Sequence, residues 1–310
     1  MEQQVKRPVA EYTGRVRLTS ANSVYEELSS DDFGLRLPRI NARFIQMSRL
    51  EATRIETRAR RVLDSMLLIM STTYLLIHGA WHGGWCWRKV VPLLEAAGHR
   101  VFAPDLPGHG DDKTATATVT LESYTGRICE IVCAQTGPVI LVGHSMGGIA
   151  ITQAAENCYG RIAALVYLSA FLPCNGESLL TWASQDQDSM VNPSTIDPRA
   201  DGAIGFKPEY SREAFYGNCA DEDVAFAQSR LVAQSGAPFG TPVQTSAERW
   251  GSTPRYYIEC DRDRAVTLRL QREMQKHLPC RQTFSIDTDH SPFFSAPTQL
   301  ADILSRIASP

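Results

Sequence analysis

A serine lies at the centre of the segment Gly143-His144-Ser145-Met146-Gly147, between an apolar run and a helical pattern. A serine hydroxyl becomes a strong nucleophile only when a neighbouring base takes its proton. A sharp turn from a strand into a helix exposes such a hydroxyl, and the flanking glycines let the two elements approach closely. The pattern therefore predicts Ser145 as a nucleophile for acyl transfer.

The base that activates such a serine is a histidine, which follows the nucleophile and the acid in chain order. His290 lies in the segment Thr288-Asp289-His290-Ser291-Pro292, just past an apolar run that ends at Ile286. His277, the other histidine after Ser145, falls inside a helical pattern and is interpreted as a surface residue. His290 is therefore the predicted base.

Two aspartates follow the penultimate apolar run, in the segment Cys260-Asp261-Arg262-Asp263-Arg264. Asp263 is the predicted acid, because it stands far enough past the run to leave the sheet edge and point into a site. Asp261 lies closer to the strand and is kept as the alternative, with a role in capping the turn. Asp287 and Asp289, beside the histidine segment, are expected to be solvated.

A tetrahedral intermediate of acyl transfer needs two backbone N–H donors for its oxyanion. One donor is expected from Met146, the residue after the nucleophile, and the other from Ala80 in the glycine-containing loop 78–85. The histidines near these turns could be mistaken for metal ligands. We interpret them as residues that fix loops through hydrogen bonds, namely His78, His82, His109 and His144.

The elements that must position these residues begin at Tyr74, where short apolar runs start to alternate with helical patterns. The predicted strands cover 74–77, 100–103, 138–142, 164–169, 255–259 and 282–286, and the predicted helices cover 87–97, 121–135, 147–157, 267–277 and 297–307. This alternation predicts an α/β fold with a mostly parallel sheet and helices on both faces. Residues 172–250 interrupt the rhythm with short helical stretches such as 222–234, and they are interpreted as a cap over the strand ends.

The first 69 residues differ from the rest and are treated as an N-terminal extension to a domain of residues 70–310. Residues 36–61 carry eight arginines, and Ile40, Phe44, Met47 and Leu50 follow a helical stripe. One interpretation is an amphipathic helix that lies on the domain or on a second subunit, which would suit a homodimer. The alternatives are a dispensable leader before Met66 or Met70, and an arginine-rich targeting or lipid-binding arm.

The composition and net charge of the chain indicate which classes of binding partner to expect. The chain has 310 residues, a formal net charge of -3 and 43% hydrophobic residues, a balance that indicates a globular protein without nucleic-acid or membrane partners. No apolar stretch reaches the roughly 18–20 residues of a membrane span, and no secretory signal is recognised, so a cytoplasmic location is expected. The eight cysteines are scattered without a Cys-x-x-Cys pair, which favours mostly buried thiols in a reducing compartment and no metal or cofactor.

The chain resembles the plant methylesterase and hydroxynitrile-lyase group of α/β-hydrolases, and also bacterial carboxylesterases of the pyrethroid-hydrolase type. The resemblance rests on segments 78–85, 143–148 and 257–263, with 234–242 closer to the bacterial branch, and it covers roughly residues 72–308. It implies the α/β-hydrolase fold, the acid at Asp263 and oxyanion donors at Ala80 and Met146.

Enzymes of the methylesterase and hydroxynitrile-lyase group catalyse two kinds of reaction, ester hydrolysis and cyanohydrin cleavage. Its lyases carry a threonine where this chain has Gly79 and a lysine where it has Ser291. The resemblance therefore implies a cofactor-independent serine carboxylesterase that acts on small to medium apolar esters. A small-molecule receptor that retains the catalytic residues, and a lyase or C–C bond hydrolase, are the alternatives.

Overall fold

The computed structural model describes residues 71–308 and, before them, Arg54. The predicted N-terminal extension of residues 1–69, with its helical stripe and its possible role in a dimer, therefore lies outside the described residues apart from Arg54. The strands of the described part are β1 (Thr73–Ile77), β2 (Arg100–Phe102), β3 (Val139–His144), β4 (Ile162–Leu168), β5 (Ile196–Pro198), β6 (Ala203–Phe206), β7 (Gln234–Ser235), β8 (Arg255–Cys260) and β9 (Gln282–Ile286).

Helices alternate with these strands. They are α1 (Val91–Ala96), α2 (Leu121–Cys133), α3 (Gly147–Asn157), α4 (Leu179–Ala183), α5 (Pro208–Phe215), α6 (Asp221–Gln228), α7 (Ala237–Gly240), α8 (Leu268–His277), α9 (Pro292–Ser295) and α10 (Pro297–Ala308), with 3-10 turns at Gly84–Lys89, Thr116–Thr118 and Trp250–Ser252. Within residues 71–308, none of the helices has the length and apolar character needed to cross a membrane.

Six strands form a parallel sheet in the order β2-β1-β3-β4-β8-β9. Every residue of β1 and β3 is buried, as expected for strands that are covered on both faces. From β1 the chain moves to β2 at one edge of the sheet and then back past β1 to β3. Because both connections are right-handed crossovers made in opposite directions, α1 and α2 lie on opposite faces of the sheet. The α/β fold with its mostly parallel sheet is confirmed.

The segment 172–250, which we call the cap segment, lies between β4 and β8. It contains α4 to α7 and a small antiparallel sheet in the order β5-β6-β7. The sequence predicted a helical stretch over 222–234, whereas α6 ends at Gln228 and Gln234 begins β7. The prediction was wrong at its end because Gln234 pairs with Ile204 of β6, a contact that local periodicity does not reveal.

Two of the eight cysteines form a disulfide rather than the free thiols that the sequence led us to expect. Cys129 of α2 and Cys158, which follows α3, form a disulfide with a Cα–Cα distance of 5.9 Å. The expectation of thiols was therefore wrong for these two residues, which lie 29 positions apart and meet because α2 packs on α3. Of the remaining cysteines, three are buried thiols, namely Cys86, Cys219 and Cys260.

Candidate active site

Ser145 occupies the turn between β3 and α3, at the carboxyl end of the sheet. Its φ angle is +53°, a left-handed backbone conformation that residues other than glycine rarely adopt. Such a conformation costs on the order of 1–3 kcal/mol and persists only where its surroundings hold it. The Ser145 N–H donates to Leu168 O at 3.3 Å, and the Ser145 carbonyl accepts from the N–H groups of Gly148 and Phe171, both at 3.1 Å.

Two glycines make room for this turn. A Cβ atom on Gly148 would lie 2.1 Å from the Phe171 carbonyl oxygen, and a Cβ atom on Gly79 would lie 2.8 Å from the Ser145 Cβ. Any side chain at these positions would therefore push the α3 terminus or the loop after β1 away from the turn. The turn at Ser145 therefore needs glycine at both positions to keep this geometry.

His290 and Asp263 form a buried pair near this turn. His290 Nδ1 lies 2.6 Å from Asp263 Oδ2, and the side chains are 2% and 0% exposed. The other carboxylate oxygen of Asp263 accepts from the N–H groups of Ala265 at 2.7 Å and Val266 at 2.9 Å. The carboxylate is thus fixed by backbone donors while it holds the Nδ1 side of the imidazole, which leaves Nε2 for proton transfer.

Asp261, the alternative acid, takes a different position. Its carboxylate accepts the hydroxyl of Ser285 from the edge strand β9 and makes no hydrogen bond to His290 among the described residues. The other histidine considered, His277, is half exposed at the end of α8 and lies 3.4 Å from Glu177. The structure therefore brings Asp263, rather than Asp261, together with His290.

Ala80 and Met146, the expected oxyanion donors, line the same cavity as Ser145 and His290. Ala80 follows β1 and Met146 follows Ser145. Within the described residues, neither backbone N–H donates a hydrogen bond to another protein atom. Two such donors beside a nucleophile are suited to bind a developing oxyanion. The roles of all five site residues in catalysis stay predictions.

The loop histidines are buried and neutral. Burial, followed by the nearby His109, lowers the pKa of His78 well below its usual range. His78 Nε2 accepts from the Leu106 N–H at 3.1 Å, and Nδ1 donates to Gly79 O at 2.8 Å, so the proton resides on Nδ1. Burial likewise lowers the pKa of His144, whose Nε2–H donates to the His290 carbonyl at 2.8 Å. These contacts fix the loops, as expected from the sequence.

The cavity next to Ser145 is predominantly apolar and has a volume of about 450 Å³. Its walls come from the loop after β1, from the cap segment and from the start of α8, with aromatic contributions from Trp81, Phe171, Phe215 and Phe239. Asp186 also lines it, but its carboxylate accepts from the N–H and hydroxyl of Thr267 at 2.9 and 2.6 Å. A ligand therefore meets a hydrophobic surface with few unpaired polar groups.

Asp289 contradicts the expectation that it is solvated. It is 4% exposed, and its carboxylate accepts from the N–H groups of Asn218 and Ser291 and from the Ser295 hydroxyl. The prediction failed because Asn218 belongs to the cap segment, far away in sequence. Asp287 is exposed as expected and pairs with Arg262.

Two further residues were missed by the sequence analysis. Ser169, directly after β4, donates its hydroxyl to the Asp263 carboxylate and has a φ of +41°. Gln234 of the cap segment bonds to the backbone N–H of Trp81, the residue after Ala80. Neither residue lies in a recognisable catalytic motif. Segment 234–242, which begins with Gln234, was noted for its likeness to the bacterial carboxylesterases, whereas nothing in the sequence pointed to Ser169.

One group of side chains in the described part could approach a metal ion. The donor atoms of Cys174, Glu177 and His277 lie within 4.8 Å of one another. Glu177 already accepts from the Cys174 N–H at 2.8 Å and from the indole N–H of Trp182 at 2.9 Å. None of the three donor residues lines the cavity, so the group is separate from the site of Ser145.

Comparison with known proteins gives concordant matches. A family model described as the alpha/beta hydrolase family matches residues 74–303. The chain is 35% identical over 246 residues to a pyrethroid hydrolase of Sphingobium wenxiniae, covering 76% of this chain and 88% of that protein. It is 33% identical over 252 residues to methylesterase 1 of Arabidopsis thaliana, covering 76% and 95%. Among solved structures, a pyrethroid hydrolase from Sphingobium faniae aligns with a TM-score of 0.69 at 33% identity, covering 77% and 98%.

Proposed function

The chain belongs to the alpha/beta hydrolase family, and on that premise we propose that it is a serine carboxylesterase for small to medium apolar esters. The observation that carries the proposal is the 2.6 Å contact between His290 Nδ1 and Asp263 Oδ2, with His290 and Ser145 on one cavity. Relatives named pyrethroid hydrolase and methylesterase support an ester as the substrate.

In the acylation half of the reaction, the Ser145 Oγ attacks the ester carbonyl carbon and His290 Nε2 takes the hydroxyl proton. The Asp263 carboxylate holds Nδ1–H and stabilises the resulting imidazolium. The N–H groups of Ala80 and Met146 bind the oxyanion of the tetrahedral intermediate. The bond to the alcohol oxygen then breaks, and His290 gives its proton to the departing alcohol, which leaves an acyl group on Ser145.

In the deacylation half, a water molecule attacks the acyl carbon while His290 Nε2 takes one of its protons. The second tetrahedral intermediate uses the same two N–H donors. It collapses when the bond to Ser145 Oγ breaks and His290 returns the proton to that oxygen. The carboxylic acid leaves and the resting enzyme is restored without any cofactor.

The character of the cavity supports an uncharged, apolar ester. Its lining, all within the described part of the chain, contains no lysine or arginine. A substrate with an anionic acyl or alcohol group would therefore enter without a counter-ion, at a large desolvation cost. The carboxylate in the lining, Asp186, already bonds to Thr267 and Arg269. The residue after His290 is Ser291, which is buried and uncharged, so a cyanide leaving group would meet no cation there. These features favour ester hydrolysis over cyanohydrin cleavage.

The decisive experiment compares purified wild type, Ser145→Ala and Ser184→Ala on p-nitrophenyl esters of increasing acyl length. Ser184 lines the same cavity and serves as the matched control. We expect Ser145→Ala to lower kcat by about 10⁴-fold or more, with Ser184→Ala close to wild type. A fluorophosphonate should add its mass to the wild type and to Ser184→Ala, but not to Ser145→Ala.

Two results would overturn the proposal. Ester hydrolysis by Ser145→Ala at the wild-type rate would remove Ser145 as the nucleophile. Tight stoichiometric ligand binding by wild type, with no steady-state turnover of any ester, would instead identify a receptor. Cyanohydrin cleavage, assayed beside the esters, tests the lyase alternative directly.

A further inference from the structure

A glutamine from the cap segment lies behind the loop that carries Ala80. Gln234 begins β7, and its side chain is fully buried. Its Oε1 accepts the Trp81 N–H at 2.8 Å and lies 3.1 Å from His109 Nε2. Its amide nitrogen lies 3.3 Å from Met146 Sδ. One side chain of the cap segment thus contacts the residue after one expected oxyanion donor and the side chain of the other.

The hydrogen bonds fix which way the amide points. The Trp81 N–H can only donate, so the atom that faces it is the oxygen, and the NH₂ group faces Met146. His109 Nε2 faces the same oxygen, and its Nδ1 lies 3.2 Å from Pro107 O, so the imidazole is oriented between two acceptors. Gln234 therefore uses both ends of its amide at once.

Trp81 shows why this support matters. Its φ angle is +63°, a conformation that is unfavourable for a tryptophan. Its three polar groups all bond to the cap segment: the N–H to Gln234, the carbonyl to the Val232 N–H at 3.0 Å, and the indole N–H to Ile204 O at 2.9 Å. The peptide that joins Ala80 to Trp81 is therefore held at its N–H by the cap segment and at its carbonyl by His82 Nδ1, which lies 2.7 Å away.

We propose that Gln234 is a positioning residue of the oxyanion hole, through which the cap segment holds the N–H donors of Ala80 and Met146 in register with Ser145. The inference rests on the proposed esterase function. It makes the cap segment part of the catalytic apparatus as well as a wall of the substrate cavity. A displacement of about 1 Å in such a group lowers the rate by about 100-fold, so a single lost contact has a measurable effect.

The test variant is Gln234→Met, which matches the length of glutamine and lacks both hydrogen-bonding groups. Gln228→Met is the matched control, because Gln228 lies in α6 of the cap segment and its side chain, among the residues that the structure describes, bonds to Ser211 alone, at 2.9 Å. We expect kcat for p-nitrophenyl butyrate to fall about 10- to 100-fold in Gln234→Met, with KM within twofold of wild type. Gln228→Met should keep the wild-type kcat.

A second readout separates positioning from general structural damage. A trifluoromethyl ketone forms a tetrahedral adduct on the nucleophile and needs the oxyanion donors, whereas the matching trifluoromethyl carbinol has no carbonyl and binds the cavity without such an adduct. Gln234→Met should bind the ketone more weakly by the same factor as its loss in kcat/KM, while its affinity for the carbinol stays unchanged. Equal losses for both ligands would show cavity damage and overturn the inference.

Gln234→Asn guards against a variant that does not fold, because it keeps the amide and withdraws it by one methylene group. It should show the same kcat-specific loss, and wild-type kcat in either folded Gln234 variant would overturn the inference. If wild type hydrolyses esters in a Ser145-dependent manner and the Gln234 variants match it, only the inference fails. If wild type hydrolyses no ester, the proposed function fails and the inference falls with it.

Discussion

Ser169 donates its hydroxyl to Asp263 Oδ2, the same carboxylate oxygen that faces His290 Nδ1. Ser169 is fully buried directly after β4, and its N–H donates to Ile258 O at 2.9 Å, so its position is fixed by the sheet. The left-handed backbone at Ser169 aims the side chain at the acid. The two oxygens of Asp263 are thus shared between the imidazole, a hydroxyl and two backbone N–H groups.

Ser169→Ala tests whether this hydroxyl tunes the acid. A hydrogen bond to a charged group contributes about 1.5–3 kcal/mol, and its loss concentrates the negative charge on the imidazole side. We expect kcat/KM to fall about 10-fold, because the Asp263 carboxylate loses one of the contacts that hold it against His290 Nδ1. Ser285→Ala, which removes the similar contact to the exposed Asp261, is the control. Wild-type kcat/KM in folded Ser169→Ala would refute the tuning role.

Asp263→Asn and Asp261→Asn form a matched pair that tests the choice of acid. An asparagine at 263 presents its NH₂ group or a weaker acceptor to His290 and disturbs the Nδ1–H tautomer, so kcat should fall by about 10⁴-fold. Asp261→Asn should retain activity within a few-fold of wild type, because its carboxylate bonds to Ser285 at the sheet edge. Steady-state kinetics with one chromogenic ester suffices. An inactive Asp261 variant beside an active Asp263 variant would reverse the assignment.

The parts of the fold that local patterns encode were predictable from the sequence. The helix over 147–157 and the strand over 282–286 agree with α3 and β9 residue by residue, because helical spacing and the alternation of Phe284 and Ile286 with polar residues are local properties. The nucleophile turn was predictable for the same reason, since strand, glycines, serine and helix follow one another directly. The pairing of His290 with an aspartate after β8 was expected from chain order, and Asp263 was favoured over Asp261 because it stands farther past the strand end.

What the sequence could not reveal depends on contacts between distant segments. Asp289 looks like a loop carboxylate until Asn218 of the cap segment donates to it, and Gln234 looks helical until it pairs with Ile204. Ser169 lies in no recognisable motif, because its contact with Asp263 depends on a left-handed backbone and joins residues that are 94 positions apart. Each of these residues makes a hydrogen bond between segments that are distant in sequence. Local periodicity cannot predict such a contact.

Asp289→Ala and Asp287→Ala compare a buried with an exposed carboxylate two positions apart. Removing the Asp289 side chain takes the acceptor from the fully buried N–H group of Ser291, from the Ser295 hydroxyl and from the N–H group of Asn218, and the loss of a buried partner costs about 1–3 kcal/mol. We expect the free energy of unfolding to fall by about 2–5 kcal/mol. Asp287→Ala removes an exposed ion pair and should change it by less than about 1 kcal/mol. Urea denaturation with equal m-values gives both numbers, and similar values for the two variants would contradict the buried role.

The buried histidines predict a loss of stability in acid. Burial, followed by the nearby His290 and His109, lowers the pKa of His82 from 6.5 to about 3. Between pH 6.5 and 3 the unfolded state therefore binds a proton at this residue that the folded state does not. Stability falls as the pH drops through this window and is unaffected by His82 above it. At pH 5 the contribution of His82 is about 2 kcal/mol of destabilisation relative to pH 7.

His82→Gln tests this linkage, because glutamine does not titrate and can still meet the Tyr216 hydroxyl that lies 2.7 Å from His82 Nε2. The variant should be less stable than wild type at pH 7, since it loses the 2.7 Å contact from Nδ1 to Ala80 O. Its free energy of unfolding should nevertheless depend less steeply on pH, by about one proton between pH 4 and 6. His277→Gln, a substitution at a half-exposed histidine, provides the comparison. Urea titrations at pH 4, 5, 6 and 7 measure the slope, and an unchanged slope in His82→Gln would show that another buried group, such as His78 or His144, carries the acid sensitivity instead.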